Sequence, residues 1–372
     1  MQKTILHIAE ELLALPAVPF REEPVRRYIR RFCTSRGVAV REDDMGNLIA
    51  VYGRNYRNPV LAFGAHMDHP GFIIEKDSRR KRTTALFYGG IEEEYFRTAK
   101  VRVFTGTGDV LGRVRRTAFN RRKRIQRVWL TLDGSVKAGD TAMWDLTPFR
   151  VKSGRLYSRG CDDGVGCVSV LALFDELVRR RVRKKVLGVF TVAEEGGLNG
   201  AKYLGLKRRI PRRATVIAIE TSRELPVAPM GEGVVIRVGD RVRVFDPAVT
   251  RFMEQVARKL RRHSRHFRAQ RALMDGGTCE ASIYQASGYA VGAACVPLGN
   301  YHNRNFRTGR IAPEYVSVTD LVNMVRLFVG MVRRSGDLPK FAYERPPLYR
   351  EERRALGERL FNAAGATGRR KP

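Results

Sequence analysis

Four apolar runs of strand length constrain the fold of this chain more than any other feature: NLIAVYG (Asn47–Gly53), VLAFGA (Val60–Ala65), VLGVFTVA (Val186–Ala193) and TVIAI (Thr215–Ile219). They are almost continuously hydrophobic, as strands covered on both faces must be, rather than alternating as in a half-exposed sheet. Segments with helical spacing of apolar residues accompany them: Ile5–Leu13, Glu23–Phe32 with Pro24 suited to a first turn, Gly166–Arg179 and Asn199–Leu206. Strands alternating with helices imply βαβ units. The expected class is therefore α/β, a mainly parallel sheet flanked by helices.

From Ser78 to Arg150 the texture changes to short alternating segments, among them AKVRVFTGTGDVLGRV and RIQRVWLTLDG, divided by Gly-Asp and Asp-Gly turns. The reading is a small β domain, residues 78–150, inserted into an α/β catalytic domain formed by 1–77 and 151–340. Residues 341–372 read as a short amphipathic helix and a frayed basic tail. A chain of 372 residues with 43% hydrophobic content can bury the core this arrangement needs. The opening MQKTILHIAEELLALPAV has acids within its apolar pattern and reads as a helix, not a signal peptide. No apolar run reaches the length of a membrane span. Cys33, Cys161, Cys167, Cys279 and Cys295 are odd in number and never form CxxC, which fits free thiols in a reducing, cytoplasmic compartment.

In open α/β sheets, functional groups gather outside the carboxyl ends of the strands. His66 and Asp68 follow one apolar run, Glu194 and Glu195 another, and Glu220 a third. SRGCDDGVGC adds Asp162 and Asp163 just before a helix, and CVPLGNYHN adds His302 after an apolar segment. Taken singly, these have ordinary explanations: a solvated loop, a surface turn, or an N-cap with a first-turn acid. Gathered at one edge of one sheet, two imidazoles and several carboxylates describe a metal site. The mixed N and O donors suit Zn²⁺, Co²⁺ or Mn²⁺ better than Ca²⁺.

AHMDHPGF, DDGVGC and AEEGGLNGA occur in that order, with the β insertion between the first two. Together they resemble the co-catalytic di-metal aminopeptidases of the glutamyl and tetrahedral type, within the zinc-exopeptidase fold, over roughly Ile5 to Val332. The resemblance implies two divalent ions, zinc first with cobalt or manganese as alternatives, held by His66, Asp162, Glu195, Glu220 and His302. It implies that Asp162 bridges them, that His66 and Glu220 complete one site, and that Glu195 and His302 complete the other. It also implies a cis peptide between Asp162 and Asp163. Asp68 then accepts a hydrogen bond from His66 and fixes its ring. Glu194, beside a ligand without being one, becomes the base that takes a proton from a water bridging the ions. The activity implied is removal of N-terminal residues from peptides, by a homo-oligomer built through the β insertion. The chain departs from the family pattern with Glu220 in place of Asp, DDG in place of Asp-Asp-Arg and YHN in place of His-Ser.

Weaker features remain. Asp275 with Gly276-Gly277-Thr278 is either a turn beside the site or a plain helix entry, and His69 either lines the pocket or faces solvent. His7, His263 and His266 read as surface residues, and Cys161 and Cys167 as packing residues. The formal net charge of +32 stands apart from the chemistry. Arg113, Arg115, Arg116, Arg121, Arg122, Lys123, Arg124 and Arg127 lie in the insertion, and Arg179–Lys185, Lys207–Arg213 and Arg258–Arg271 in the main domain. This charge is spread over helix ends and loops with few aromatics nearby, unlike a nucleic-acid surface. It leaves open a generally arginine-rich composition, interfaces or acidic substrates, and nucleic acid. The competing reading is a basic protein that binds RNA or an acidic partner on an inactive peptidase fold.

Overall fold

Every residue of Leu61–His66 and of Val186–Thr191 is buried, and these two strands lie side by side in the middle of the sheet. The computed structural model describes residues 1–53, 61–97, 99–120 and 125–343. In it the strands Val186–Thr191, Leu61–His66, Thr215–Arg223 and Ala290–Gly299 run parallel in that order. Antiparallel strands extend both sides of this centre, Leu48–Tyr52 and Ala39–Glu42 on one, and Glu314–Ser317, Arg155–Ser158 and Arg150–Lys152 on the other. Val234–Gly239 also pairs with Ala290–Gly299 and carries Ala269–Leu273, making an 11-stranded mixed sheet with a parallel core.

Because side chains alternate across a strand, one strand feeds two cores. Leu61, Phe63, Ala65, Ile217 and Ile219 pack into the larger one, with the helices Gln2–Leu13, Glu23–Thr34, Gly164–Arg179, Pro247–His263 and Val318–Arg333. Ala62, Val216 and Ala218 point the other way, toward Asn199–Leu206 and Glu280–Ala286. Among the described residues, no helix is long and apolar enough to cross a membrane.

The inserted segment closes into a six-stranded antiparallel barrel made of Gly71–Ile74, Arg82–Tyr88, Ile125–Leu132, Gly108–Asn120, Lys100–Thr105 and Thr141–Trp144. Phe72, Phe87, Phe96 and Trp144 fill it, with the Trp144 ring perpendicular to Phe72 at 4.8 Å between centroids. The barrel begins before residue 78, the start expected from sequence, because Gly71–Ile74 is short and mostly buried and so lacks the alternation that marks the later strands. Residues 344–372 of the expected basic tail, and Arg121 to Arg124, lie outside the described residues.

Candidate active site

Strand register brings the candidate residues together. Thr191 pairs with His66, so Glu194 and Glu195 leave their strand just beyond it. Ala218 pairs with Gly64, which sets Glu220 level with His66 on the other side. Asp162 and Asp163 enter from the turn before the Gly164–Arg179 helix, joined by a cis peptide bond. Asp163 caps that helix by accepting from the Gly166 N–H at 3.1 Å, and a Cβ at 166 would lie 2.0 Å from the same carboxylate, so glycine is required there. Its other bond is from the Thr221 hydroxyl at 2.8 Å.

Two groups of metal-ligating atoms result: His66, Asp162 and Glu220 in one, and Asp162, Glu195 and His302 in the other. His66 Nε2 lies 3.6 Å from Asp162 Oδ1 and 4.0 Å from Glu220 Oε2. His302 Nε2 lies 3.8 Å from Asp162 Oδ2 and 2.9 Å from Glu195 Oε1. Asp162 thus turns one oxygen to each group. His66, Asp162, Glu220 and His302 are buried, yet Asp162 Oδ1 and Glu220 Oε1 have no hydrogen-bond partner. Buried carboxylate oxygens left without donors are costly, and a divalent cation is the partner this donor set fits.

The electrostatics agree. Burial, opposed by His66 and reinforced by Asp162, pushes the Glu220 carboxyl up to about 8. Burial raises Glu194 well above the usual carboxylate range. Burial would lower His302, but Glu195 and Asp162 outweigh it and bring the imidazole to about 9. The cluster carries more negative charge than its own cations offset.

Glu194 belongs to neither group but lines the same cavity of about 150 Å³ with His66, Glu195 and His302. Asp68 faces His66 as expected, with Oδ1 3.7 Å from Nδ1, but at more than hydrogen-bond length. His66 Nδ1 is 3.0 Å from the Asp68 backbone carbonyl, whereas the Asp68 carboxylate accepts the backbone N–H groups of Glu194 and Glu195, both at 2.9 Å. The side chain reaches across to the neighbouring strand end because those two amides, turning out of the sheet, would otherwise lack acceptors.

His69 neither lines this cavity nor faces solvent. It is buried, with Nδ1 2.6 Å from the Asp162 carbonyl and Nε2 2.9 Å from Asn303 Oδ1. Gly276, Gly277 and Thr278 line the cavity, while Asp275 is exposed outside it. Cys161 and Cys167 are buried, the latter donating to the His66 carbonyl at 3.2 Å. His7, His263 and His266 are exposed or partly exposed surface residues.

Sequence reasoning missed Glu314, which is fully buried and accepts from the N–H groups of Cys161 at 2.7 Å, Asp162 at 3.1 Å and His302 at 2.8 Å. Burial, opposed by His69, pushes it up to about 7. It also missed Arg237, a buried guanidinium in the cavity wall beside Glu220. Neither sits in a motif. Glu314 acts on backbone amides, two of them more than 150 residues away in sequence, and Arg237 reads as one arginine among many.

The family model for M42 glutamyl aminopeptidases matches residues 46–308, well over half of the chain. The chain belongs to the M42 glutamyl aminopeptidase family. It is a peptidase acting on peptide bonds, as an aminopeptidase. A protein of Acetivibrio thermocellus named as an aminopeptidase by inference is 23% identical over 89% of this chain and 99% of its own. Among solved structures, an aminopeptidase of the archaeon Desulfurococcus kamchatkensis is similar at TM-score 0.74 and 22% identity, covering 90% of this chain and 95% of that one. The TET1 peptidase of Pyrococcus horikoshii is similar at TM-score 0.72 and 24% identity, covering 88% and 99%. This M42 chain therefore shares a whole fold, and not one motif, with these proteins.

Proposed function

We propose that this aminopeptidase removes N-terminal residues from peptides with two divalent ions, zinc by preference, held by His66, Asp162 and Glu220 and by Asp162, Glu195 and His302. The observation that carries this reading is the pair of ligand groups sharing Asp162, with unpartnered buried oxygens inside them. Ions held there would acidify a water molecule and polarise the scissile carbonyl. Glu194 takes the proton of the attacking water and returns it to the leaving amine, a task for which a carboxyl raised by burial is suited. Asp68 holds the backbone of Glu194 and Glu195 in place through their amides. The chain works as a homo-oligomer, a reading supported by the dodecamer and the tetrahedral or octahedral shells named for the TET1 structures. Five free, buried cysteines support a cytoplasmic setting.

The test is elemental analysis after zinc loading, combined with hydrolysis of a panel of aminoacyl substrates. Two ions per chain with release of N-terminal residues are expected. A stoichiometry near zero in an active preparation removes the mechanism.

A further inference from the structure

The loop that presents His302 is held against its own preference. Asn300, His302 and Asn303 adopt φ of 55°, 54° and 61°. Left-handed backbone is disfavoured at a residue such as His302, less so at asparagine, and persists where the surroundings enforce it. The main domain enforces the backbone: Glu314 accepts from the His302 N–H at 2.8 Å, Asn300 Nδ2 donates to the Pro313 carbonyl at 2.8 Å, and Asn303 Nδ2 donates to the Arg159 carbonyl at 3.1 Å. These bonds fix the main chain and leave the imidazole to other contacts.

The ring is oriented from the barrel side. His302 Nδ1 lies 3.1 Å from the carbonyl of Gly90, in the connection that follows the barrel strand Arg82–Tyr88. The Tyr301 ring stacks on the imidazole with centroids 3.9 Å apart. Tyr301 is in turn held by Arg304, whose Nε donates to the Tyr301 carbonyl at 3.2 Å and whose guanidinium sits 5.4 Å over its ring. Arg304 is anchored by Glu92, two residues after Gly90, with Nη1 at 2.6 and 2.7 Å from the two carboxylate oxygens.

We infer that Glu92 on the barrel is a positioning residue for His302. It anchors Arg304, which holds Tyr301 against the imidazole and keeps the Gly90 carbonyl in register with Nδ1. A carbonyl accepting from Nδ1–H fixes the tautomer and leaves Nε2 as the ligand atom, which here faces Glu195 and Asp162. The barrel is thereby part of the metal site, a consequence that rests on the metal reading proposed above.

Cobalt titration of the metal-stripped full chain, followed by calorimetry and visible absorption, tests this with wild type, Glu92→Gln and Glu92→Asp, beside thermal unfolding. Expected for Glu92→Gln is one of the two cobalt affinities weakened about tenfold, the other unchanged, an altered cobalt spectrum, and turnover restored by excess cobalt. Glu92→Asp, which keeps the charge, should shift less, and it carries the test alone if Glu92→Gln does not fold. Unchanged affinities and spectrum in the folded variants overturn the inference while leaving the metal reading intact. Equal weakening of both sites with a lowered unfolding temperature also overturns it, since that is a general structural loss. A wild-type chain that binds no cobalt overturns both.

Discussion

At the carboxyl ends of the central strands Asp68, Asp162, Asp163, Glu220 and Glu314 are all buried, whereas in the barrel Arg113, Arg115, Arg116 and Arg127 lie on the outside of an interior made of Phe72, Phe87, Phe96 and Trp144. One region hides charge and the other hides carbon. Buried carboxylates are stable only where donors or cations compensate them, and several here find backbone N–H groups while Asp162 and Glu220 keep open oxygens. Solvated arginines cost little wherever they sit. The difference separates two kinds of charge that a net value of +32 merges. Among the described residues, these barrel arginines belong to the solvated shell, and the chemistry belongs to a small acidic interior.

The largest effect should come from the acidic interior, where near-isosteric changes separate neighbouring roles. Glu194→Gln is expected to lower kcat by roughly 10² to 10⁴ while both ions stay bound, as for a lost general base. Glu195→Gln should instead lose an ion, since an amide is a poorer ligand than a carboxylate. Turnover and metal content measured on the same preparations decide it. Near-normal turnover in Glu194→Gln with full metal content would remove Glu194 as the base, and metal loss in Glu194→Gln with full metal content in Glu195→Gln would exchange the two roles.

How far these regions were legible in the sequence follows from the same contrast. The parallel centre was readable because residues such as Phe63, Ile217 and Phe190 must be apolar on both faces of their strands. His66, Asp162, Glu195, Glu220 and His302 could be gathered as candidates, with Asp68, Asp163 and Glu194, because each lies at a strand end or a helix entry where polarity breaks an apolar run, while the choice of these five as ligands follows the family resemblance. What was not readable acts across the fold. Glu314 serves amides more than 150 residues away at Cys161 and 152 away at Asp162, and His69 reaches Asn303 at a separation of 234. The Asp68 carboxylate serves two backbone amides as well as standing 3.7 Å from the His66 imidazole, a double duty set by strand spacing that no local pattern encodes. Barrel closure was likewise hidden, since alternation announces strands but not the pairing of Gly71–Ile74 with Thr141–Trp144 that completes the ring.

A second, smaller effect should come from the hydrocarbon interior. Phe72 packs at 4.8 Å from both Phe87 and Trp144, so Phe72→Ala opens a cavity at the centre of the barrel and should cost about 3–5 kcal/mol. Urea unfolding followed by Trp fluorescence would report it, because Trp144 lies in the barrel. A loss below about 1 kcal/mol would mean that the sheet domain, and not this aromatic cluster, sets barrel stability. Placing the charge of Phe72→Asp in the same position should be far worse, whereas the strand ends accommodate carboxylates because they supply donors.

The smallest effect is expected where the net charge is concentrated in water. Arg113 is exposed on the barrel strand Gly108–Asn120, where it pairs in register with Lys100 of the adjacent strand. Arg113→Gln keeps most of the aliphatic stem, removes one positive charge next to another, and leaves no buried group without a partner. Surface changes of this kind fall within about 0.5 kcal/mol, and relief of like-charge repulsion across the strand pair favours the stabilising sign. The shift should shrink further as salt is added, since the interaction is screened. Equilibrium unfolding of Arg113→Gln at low and high ionic strength measures both the size and the sign. A loss above about 1 kcal/mol that persists in high salt would show that this arginine supports the barrel structurally, and the division between a solvated basic shell and a structured acidic interior would then fail at that position.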